Sequence, residues 1–294
     1  MPKPAKSRAA ARRPDPAGKS LAAANPLADR KGARRMSEIP PDVLAGLNAG
    51  ELATVNLVES LAIDMSALAR SAFRRLGHDA LAEEVGLAAD ALAESGVMRR
   101  LIGIGAAIHE ILAAKPRRLR IKVLSQIAGH PSDTVRSWAC FAAQAGESTS
   151  LDDRLGAVRP FAADPHFGVR ECAWMSVRPF YAEQLDGVID GLLAWTADGD
   201  ANIRRFAIES TRPRGVWCAH LAELKSDPQR AAHLLEPVRS DPSRYVQSSV
   251  ANWLNDAAKS NARWVTALCR RWRNESPMVE TAWIVKRALR SIRE

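Results

Sequence analysis

A short segment, residues 202–217, concentrates charged and aromatic side chains in the order N-I-R-R-F-A-I-E-S-T-R-P-R-G-V-W. Its first part lacks glycine and proline and predicts a helix over residues 203–211, on which Arg205 and Glu209 share a face because they are four residues apart. A carboxylate surrounded by arginines has two interpretations. It is either a structural ion-pair network or an anion-binding surface whose carboxylate lies where positive charge develops.

The end of this segment predicts an ordered loop. Pro213 ends the helix, and the residue before a proline avoids the helical region, so Arg212, Arg214 and Trp217 return across the helix end. An aromatic side chain left in water is unfavourable unless it meets a ligand. Trp217 is therefore a candidate contact residue.

A second stretch, residues 245–261, reads Y-V-Q-S-S-V-A-N-W-L-N-D-A-A-K-S-N and predicts an amphipathic helix. Apolar side chains at positions 246, 250, 254 and 257 form its buried stripe. Its polar or intermediate face then carries Asn252, Asn255, Asp256 and Lys259. These residues form pairs at i,i+4 spacing, which an ordinary solvated helix surface also shows.

The elements that must position these residues are predicted to be helices. From residue 40 onward apolar residues recur at three- and four-residue spacing, which predicts helices over residues 41–47, 51–76, 78–94 and 97–114 in the first half. Gly77, Gly96 and Pro116 separate them. No segment shows the alternation of a half-buried strand, so the predicted fold class is all-α.

The second half of the chain repeats itself with a period of about 34 residues. Turns that open with Asp or His, followed by Pro or Gly, place a β-branched residue at positions 135, 169, 203 and 246, with a weaker copy at 279. About nine residues are inserted between the third and fourth copies. Each turn caps a second helix. Amphipathic first helices are predicted over residues 119–128, 151–163, 185–196 and 263–273.

Two helices per repeat predict an α-solenoid, and the D-P-x-x-x-V-R opening is HEAT-like. Such a stack presents its second helices side by side on a concave surface. We therefore divide the chain into residues 1–38, a basic tail, and residues 39–294, a HEAT-like helical repeat domain whose repeats are clear from about residue 118.

An arginine follows the β-branched residue in three successive copies, at Arg136, Arg170 and Arg204. These side chains are predicted to form a ladder along one face. The ladder has two interpretations: the arginines tie neighbouring repeats together, or they form a stripe that follows the phosphates of a duplex, whose backbone supplies most of the binding affinity.

The net charge of +9 is concentrated at the N-terminus. Residues 1–40 hold ten Lys or Arg and three Asp or Glu, which is +7 and leaves +2 for the rest of the chain. The tail is almost without large apolar side chains, so it is predicted to be disordered. It is interpreted as a solubility leader, as a segment attracted to phosphates, or as an organellar transit peptide.

The composition predicts neither a metal site nor a cofactor. The six histidines include no H-E-x-x-H pattern. The four cysteines never occur as C-x-x-C and are predicted to be buried thiols in a reducing compartment. The longest apolar run, near residues 101–108, is too short to span a membrane. The sequence therefore predicts a cytoplasmic protein, which we expect to be a monomer.

Together, R-R-F-A-I-E-S-T-R-P-R-G-V-W and Y-V-Q-S-S-V-A-N-W-L-N-D-A-A-K closely resemble motifs of the AlkC/AlkD family of DNA alkylation-repair glycosylases, and specifically of the AlkC branch. The resemblance covers most of residues 100–275. It implies a HEAT-like solenoid whose concave face binds duplex DNA. It also implies an enzyme that excises cationic bases such as N3-methyladenine without flipping them fully out of the duplex. It also implies a bacterial, nucleoid-associated location.

The resemblance assigns roles to residues at matching positions. Glu209 and Asp256 would be the active-site carboxylates, Trp217 the aromatic against the lesion or its deoxyribose, and Arg205 a DNA-gripping neighbour. The residues expected to contact DNA are Arg170, Arg178, Arg204, Arg205, Arg212, Arg214, Asn252, Asn255 and Lys259.

The chemistry of such a reaction suits these residue types. An N3- or N7-alkylated purine already carries positive charge, so it leaves without a general acid. Carboxylates stabilise the oxocarbenium-like sugar electrostatically, and a tryptophan face adds a cation–π attraction of roughly 0.5 to 2 kcal/mol.

One position departs from the family pattern. The AlkC branch usually carries a further acid in a short E-F-A-I-R-P-F stretch, and here Trp174 occupies the place of that acid in A-W-M-S-V-R-P-F-Y. Glu171, three residues earlier on the same predicted helix, is the candidate substitute. Two other functions stay open: a non-catalytic solenoid that binds bent, branched or damaged DNA, and a scaffold for a protein partner.

Overall fold

The computed structural model describes residues 27, 29–146 and 150–292. Most of the predicted basic tail, residues 1–26 and 28, lies outside the described residues. The last part of that segment contacts the helical domain. The Arg30 guanidinium Nε donates to Glu59 Oε1 at 3.0 Å, and Asn56 Nδ2 donates to the carbonyl of Ala33 at 2.8 Å.

Within the described residues the regular structure is helical and no strand occurs, which confirms the predicted all-α class. The α-helices are α1 (Pro41–Asn48), α2 (Leu57–Ala62), α3 (Met65–Arg75), α4 (Asp79–Asp90), α5 (Val97–Ala113), α6 (Arg117–Ala128), α7 (Asp133–Gln144), α8 (Leu151–Ala162), α9 (Phe167–Val177), α10 (Leu185–Leu193), α11 (Ala201–Ser210), α12 (Ala222–Ser226), α13 (Ala232–Leu235), α14 (Arg244–Glu275) and α15 (Val279–Ala288). Short 3-10 helices lie at Met36–Glu38, Arg178–Phe180, Ala194–Ala197, Pro228–Ala231 and Glu236–Val238. No described helix is long and apolar enough to cross a membrane.

The single helix predicted over residues 51–76 is wrong, because two capping side chains divide it. Asn56 caps α2 by accepting the backbone N–H of Glu59, and Asp64 caps α3 by accepting the N–H groups of Ser66 and Ala67. Such side chains stabilise a new helix start more than a continuous helix.

The repeat prediction is confirmed. The β-branched residues Val135, Val169, Ile203 and Val246 lie near the starts of α7, α9, α11 and α14 and are at most 1% exposed. Helices α6, α8 and α10 precede the first three of these second helices, as predicted. Before α14, the short helices α12 and α13 take the place of a continuous first helix.

The second helices form one continuous face of the domain. Helix α7 packs between α5 and α9, and α11 packs between α9 and α14. Helix α14 is kinked at Asn261, whose backbone is non-helical and whose Nδ2 donates to the carbonyl of Lys225 at 2.7 Å. The straight part of α14 before this kink contributes to the shared face.

The arginine ladder ties repeats together. Arg136 Nε donates to Asp164 Oδ2 at 2.8 Å, and Arg204 Nε donates to Asp241 Oδ2 at 2.6 Å, so each reaches the opening aspartate of the next repeat. Their Nη1 atoms donate to two carbonyls of their own opening turns. The first interpretation of the ladder is therefore correct for these two residues.

Arg170 and Arg204, which were predicted to contact DNA, both donate hydrogen bonds within the protein. Arg170 Nη1 donates to the carbonyls of Asp164 and Pro165 at 2.6 and 2.8 Å. Its Nε donates to the Tyr245 hydroxyl at 3.1 Å, in place of an aspartate of the next repeat.

We expect Arg204→Met to destabilise the domain by roughly 3 kcal/mol, because it leaves the buried Asp241 carboxylate without its guanidinium. The free energy of unfolding from chemical denaturation measures this loss. The control is Arg118→Met on the exposed surface of α6, which should change stability by less than about 0.5 kcal/mol. Equal stability of the two variants would contradict the inter-repeat role.

Candidate functional site

A small open cleft lies on the face of the second helices, where α9, α11, α14 and the loop after α11 meet. Its volume is about 260 Å³. The residues that line it are Glu171, Trp174, Arg205, Glu209, Arg212, Val216, Trp217, Tyr245, Ser248, Ser249 and Asn252. The two sequence stretches singled out above therefore meet here, together with the α9 segment that departs from the family pattern.

Glu209 is the buried carboxylate of the cleft and is only 4% exposed. Helix α11 places it in its last turn, after Asp200 caps the helix start by accepting the N–H of Asn202 at 2.8 Å. Ser249 Oγ donates to Glu209 Oε2 at 2.6 Å, and Arg212 Nη1 donates to Oε1 at 2.5 Å. Hydrogen bonds thus fix both carboxylate oxygens.

Asp256 lies behind Glu209 and is joined to it through a shared arginine. Arg212 Nε and Nη2 donate to Asp256 Oδ2 at 2.9 and 2.6 Å, and Lys259 Nζ donates to Oδ1 at 3.2 Å. Asp256 is 5% exposed and is not among the residues that line the cleft. The predicted pair of carboxylates is therefore brought together, but Asp256 meets Arg212 rather than the open space.

Glu171 occupies the opposite wall of the cleft on α9. Arg205 Nη2 donates to Glu171 Oε1 at 2.6 Å and lies 3.7 Å from Glu209 Oε2, so this arginine connects the two glutamates. The indole Nε1 of Trp174 donates to Glu171 Oε2 at 3.0 Å. Trp174 therefore orients the glutamate three residues before it.

Sequence reasoning missed Tyr245 and Ser249. The guanidinium carbon of Arg205 lies 4.4 Å from the Tyr245 ring centroid, a cation–π contact that helps to orient Arg205. Ser249 orients Glu209 through the hydrogen bond described above. Their signal was present, because Tyr245, Ser249 and Asn252 are spaced i, i+4 and i+7 and must share one face of α14.

Trp217 projects from the loop that follows α11, as predicted. Its side chain is 72% exposed, and its backbone φ of 66° is the only positive φ of a non-glycine residue in the described chain. Such a conformation is unfavourable for a bulky side chain, so the surrounding loop must impose it. The loop is closed by the backbone N–H of Leu221, which donates to the carbonyl of Pro213 at 3.1 Å.

Arg178, which was predicted to contact DNA, forms the base of this loop. It is 4% exposed, and its Nη atoms donate to the carbonyls of Ser210, Arg212 and Ala219 at 2.8 to 2.9 Å. Burial lowers the pKa of its guanidinium. The terminal nitrogens of this buried arginine thus hold three loop carbonyls in place.

Asn255, which was also predicted to contact DNA, bonds to α15. It is 3% exposed, and its Nδ2 donates to the carbonyl of Ala288 and to Ser291 Oγ, both at 3.0 Å, because α15 covers this side of α14. Asn252 lines the cleft and Lys259 is exposed. Arg214 Nη2 donates to Ser260 Oγ at 2.8 Å on the partly exposed surface beside the loop.

The charge state of Glu209 follows from its surroundings. Burial alone would raise its pKa, but the positive charges of Arg205 and Arg212 and the hydrogen bonds from Ser249 and Arg212 hold that pKa below its ordinary value of 4.5. Glu209 is therefore an ionised carboxylate at neutral pH.

We expect the thermal stability of the wild-type protein to approach that of Glu209→Gln as the pH falls. The folded-state pKa of Glu209 is depressed, so its ionisation stabilises the fold fully above its unfolded pKa, and this contribution disappears as the pH falls through the folded pKa. Thermal unfolding of both proteins between about pH 7 and pH 3 measures the difference. A difference in melting temperature that stays constant over this range would contradict the assignment.

Comparison with known proteins finds matches to the part of the chain that contains this cleft. The model of a family described as "DNA alkylation repair enzyme" matches residues 169–291, which include all the cleft residues. The uncharacterized protein YhaZ of Bacillus subtilis is 38% identical over 117 residues, which are 40% of this chain and 32% of YhaZ. The chain thus matches about a third of the length of this relative.

Solved structures show the same fold. The alkylpurine DNA glycosylase AlkC of Pseudomonas fluorescens, bound to DNA containing an abasic site analog, has a TM-score of 0.63 and 28% identity over 77% of this chain and 61% of AlkC. Two proteins of Streptococcus mutans support the fold alone. The smu.31 protein has a TM-score of 0.53 at 18% identity, covering 72% of this chain and 98% of its own, and AlkD2 has a TM-score of 0.51 at 20% identity, covering 64% and 89%.

Proposed function

We propose that this chain hydrolyses the N-glycosidic bond of cationic alkylated purines, such as 3-methyladenine, in duplex DNA, because the model of the DNA alkylation repair enzyme family matches its residues 169–291. One observation carries the proposal: two glutamate carboxylates and an exposed tryptophan line a single cleft. Carboxylates stabilise the positive charge that develops on the sugar, and the tryptophan face attracts a cation.

In this proposal each residue of the site has a separate role. Glu209, held ionised by its arginines, faces the oxocarbenium-like deoxyribose, and Glu171 on the opposite wall takes the place of the family acid. Trp217 lies against the lesion or its sugar. Asp256 acts through Arg212, because two nitrogens of that guanidinium bond to its carboxylate while a third bonds to Glu209.

We further propose that duplex DNA lies across the face of the second helices. The AlkC structure contains DNA, and the partly exposed polar residues around the cleft could follow a backbone. They are Arg205, Arg212, Arg214, Asn252 and Lys259. The cleft of about 260 Å³ is smaller than the roughly 300–1,000 Å³ of pockets that enclose a small ligand. Its size therefore favours attack on a base that is not fully flipped out.

The basic segment of residues 1–38 would add non-specific attraction to phosphates, because its net charge is +7. We propose that it increases the affinity for any duplex without changing the choice of lesion. The cytoplasmic, nucleoid-associated monomer predicted from the sequence belongs to the same proposal.

A specific observation also favours a second function, binding of damaged or branched DNA without excision. Trp174 occupies the place of the usual acid, and Glu209 already meets two arginines that partly offset its charge. This alternative predicts binding that falls steeply as salt rises from about 50 to 200 mM, with no release of free base.

The test is chromatographic detection of bases released from DNA treated with a methylating agent. Free 3-methyladenine above the spontaneous background, produced by the wild-type protein, supports a glycosylase. Salt-sensitive binding to the same DNA without release supports the binding function. Absence of both binding and release at moderate salt would favour a protein scaffold.

A further inference from the structure

A second, apolar groove lies beside the candidate cleft on the same face. It has a volume of about 210 Å³ and is formed by α2, α5, α7 and α9, with Met65 at the start of α3. Its large apolar side chains are Leu57, Leu61, Met65, Val97, Met98, Leu101, Phe167, Met175 and Trp217. Leu57, Leu61 and Phe167 are 57%, 43% and 41% exposed, although each is a side chain that usually lies in a core.

The groove adjoins the cleft. Glu171 and Trp217 line both spaces, so they form the boundary between them. A ligand that extends from the cleft past this boundary would place its charged part beside Glu171 and Glu209 and its far part against leucine and methionine side chains.

The lining of the groove selects against a phosphate. Its acidic side chains are Asp133 and Glu171, and the described residues that line it include no lysine or arginine. Three of the residues that line the groove are methionines, whose flexible side chains adapt to apolar groups of different shape. The volume exceeds the roughly 150 Å³ of an engineered apolar cavity that holds one benzene ring.

We propose that this groove binds an apolar substituent carried by the cationic base, so that the substrate class includes purines alkylated with groups of benzyl size as well as methyl. The inference rests on the proposed glycosylase function and specifies its substrate. The N3 atom of adenine lies at the minor-groove edge, so an alkyl group on N3 projects out of the base pair toward a protein on that side. The positive charge would stay beside the carboxylates, while the ring would enter the groove.

The experiment compares two substrates, DNA treated with a methylating agent and DNA treated with a benzylating agent. Rates of release of 3-methyladenine and 3-benzyladenine are measured by mass spectrometry for the wild-type protein and for the double variant Leu57→Gln/Leu61→Gln. Both leucines are largely exposed, so the fold should be retained. Glutamine is neutral, so attraction to phosphates should be unchanged.

We expect the wild-type protein to release both bases, and the double variant to release 3-benzyladenine at least tenfold more slowly with 3-methyladenine release unchanged. The matched control is Leu87→Gln, a 64% exposed leucine on α4 outside the groove, which should affect neither base. Release of 3-methyladenine without any 3-benzyladenine would overturn the inference and leave the proposed function standing.

Three further outcomes would also overturn it. Equal slowing of both bases in the double variant would show that the groove does not recognise the substituent. A wild-type oligomer that the double variant dissociates would assign the groove to a second copy of the chain. No release of either base by the wild-type protein would refute the proposed function, and the inference with it.

Discussion

Replacing Glu209 by glutamine is expected to slow the release of 3-methyladenine by roughly 10²- to 10³-fold, the usual loss when one preorganised electrostatic group is removed from a transition state. Affinity for methylated duplex should be retained, because Glu209 is 4% exposed and carries the same sign of charge as a phosphate. Single-turnover release and equilibrium binding, measured on the same DNA, separate the two effects.

Loss of folding is the competing explanation, and the chain offers a matched control. In Glu209→Gln, Arg205 still meets Glu171 and Arg212 still meets Asp256, so neither guanidinium is left alone. Asp241→Asn should destabilise the fold more, because the Asp241 carboxylate holds Arg204, which lies on α11 together with Glu209. Asp241 does not line the cleft.

We expect Asp241→Asn to be less stable than Glu209→Gln and yet to release base at nearly the wild-type rate. Thermal unfolding and base release measured on the same preparations test this order. Full activity of Glu209→Gln would contradict the assigned role of the carboxylate. Equal loss of activity in both variants would show that the effect of Glu209 is structural.

Local spacing allowed the sequence to predict the helices and the centre of the cleft. Arg205 and Glu209 are four residues apart on a helix with no breaker, and in the structure their charged atoms lie 3.7 Å apart. The repeat period predicted the row of second helices, because a β-branched side chain recurs at the buried start of each one. These relations depend on neighbours along the chain.

Hydrogen-bond partners that are distant in sequence could not be predicted. Arg178 and Asn255 look like surface donors in their own helices, but carbonyls more than 30 residues away accept their hydrogen bonds. Polar residues that hold another segment have the same local pattern as residues that hold a ligand. The burial that distinguishes them arises only when α15 packs on α14 and when the Trp217 loop folds over Arg178.

A similar limit applies to Tyr245. Its spacing with Ser249 and Asn252 indicates a shared face, but nothing in α14 shows that Arg170 and Arg205 reach that face from two other helices. Arg170 is the one member of the ladder that donates to the tyrosine of the cleft in place of an aspartate. The arginine ladder therefore contributes both to the contacts between repeats and, through Arg170, to the candidate site.

Replacing Glu171 by glutamine is expected to slow base release by roughly a hundredfold, because this glutamate is the second carboxylate that lines the cleft. Trp174→Phe should have a smaller effect of roughly tenfold, since it removes the hydrogen bond that orients Glu171 Oε2 but keeps the carboxylate and most of the aromatic volume. Release of 3-methyladenine at saturating protein measures both variants.

The control for Glu171→Gln is Glu83→Gln, because Glu83 is also a partly exposed glutamate that bonds to an arginine, but it lies on α4 away from the cleft. It should leave base release unchanged. If Glu171 takes the place of the absent acid, the Trp174→Phe and Glu171→Gln effects will not add, because the tryptophan acts through the glutamate. Additive losses would mean that Trp174 contacts the substrate directly. Full activity of Glu171→Gln would mean that Glu209 and Asp256 suffice and that the acid usual in the AlkC branch is dispensable in this chain.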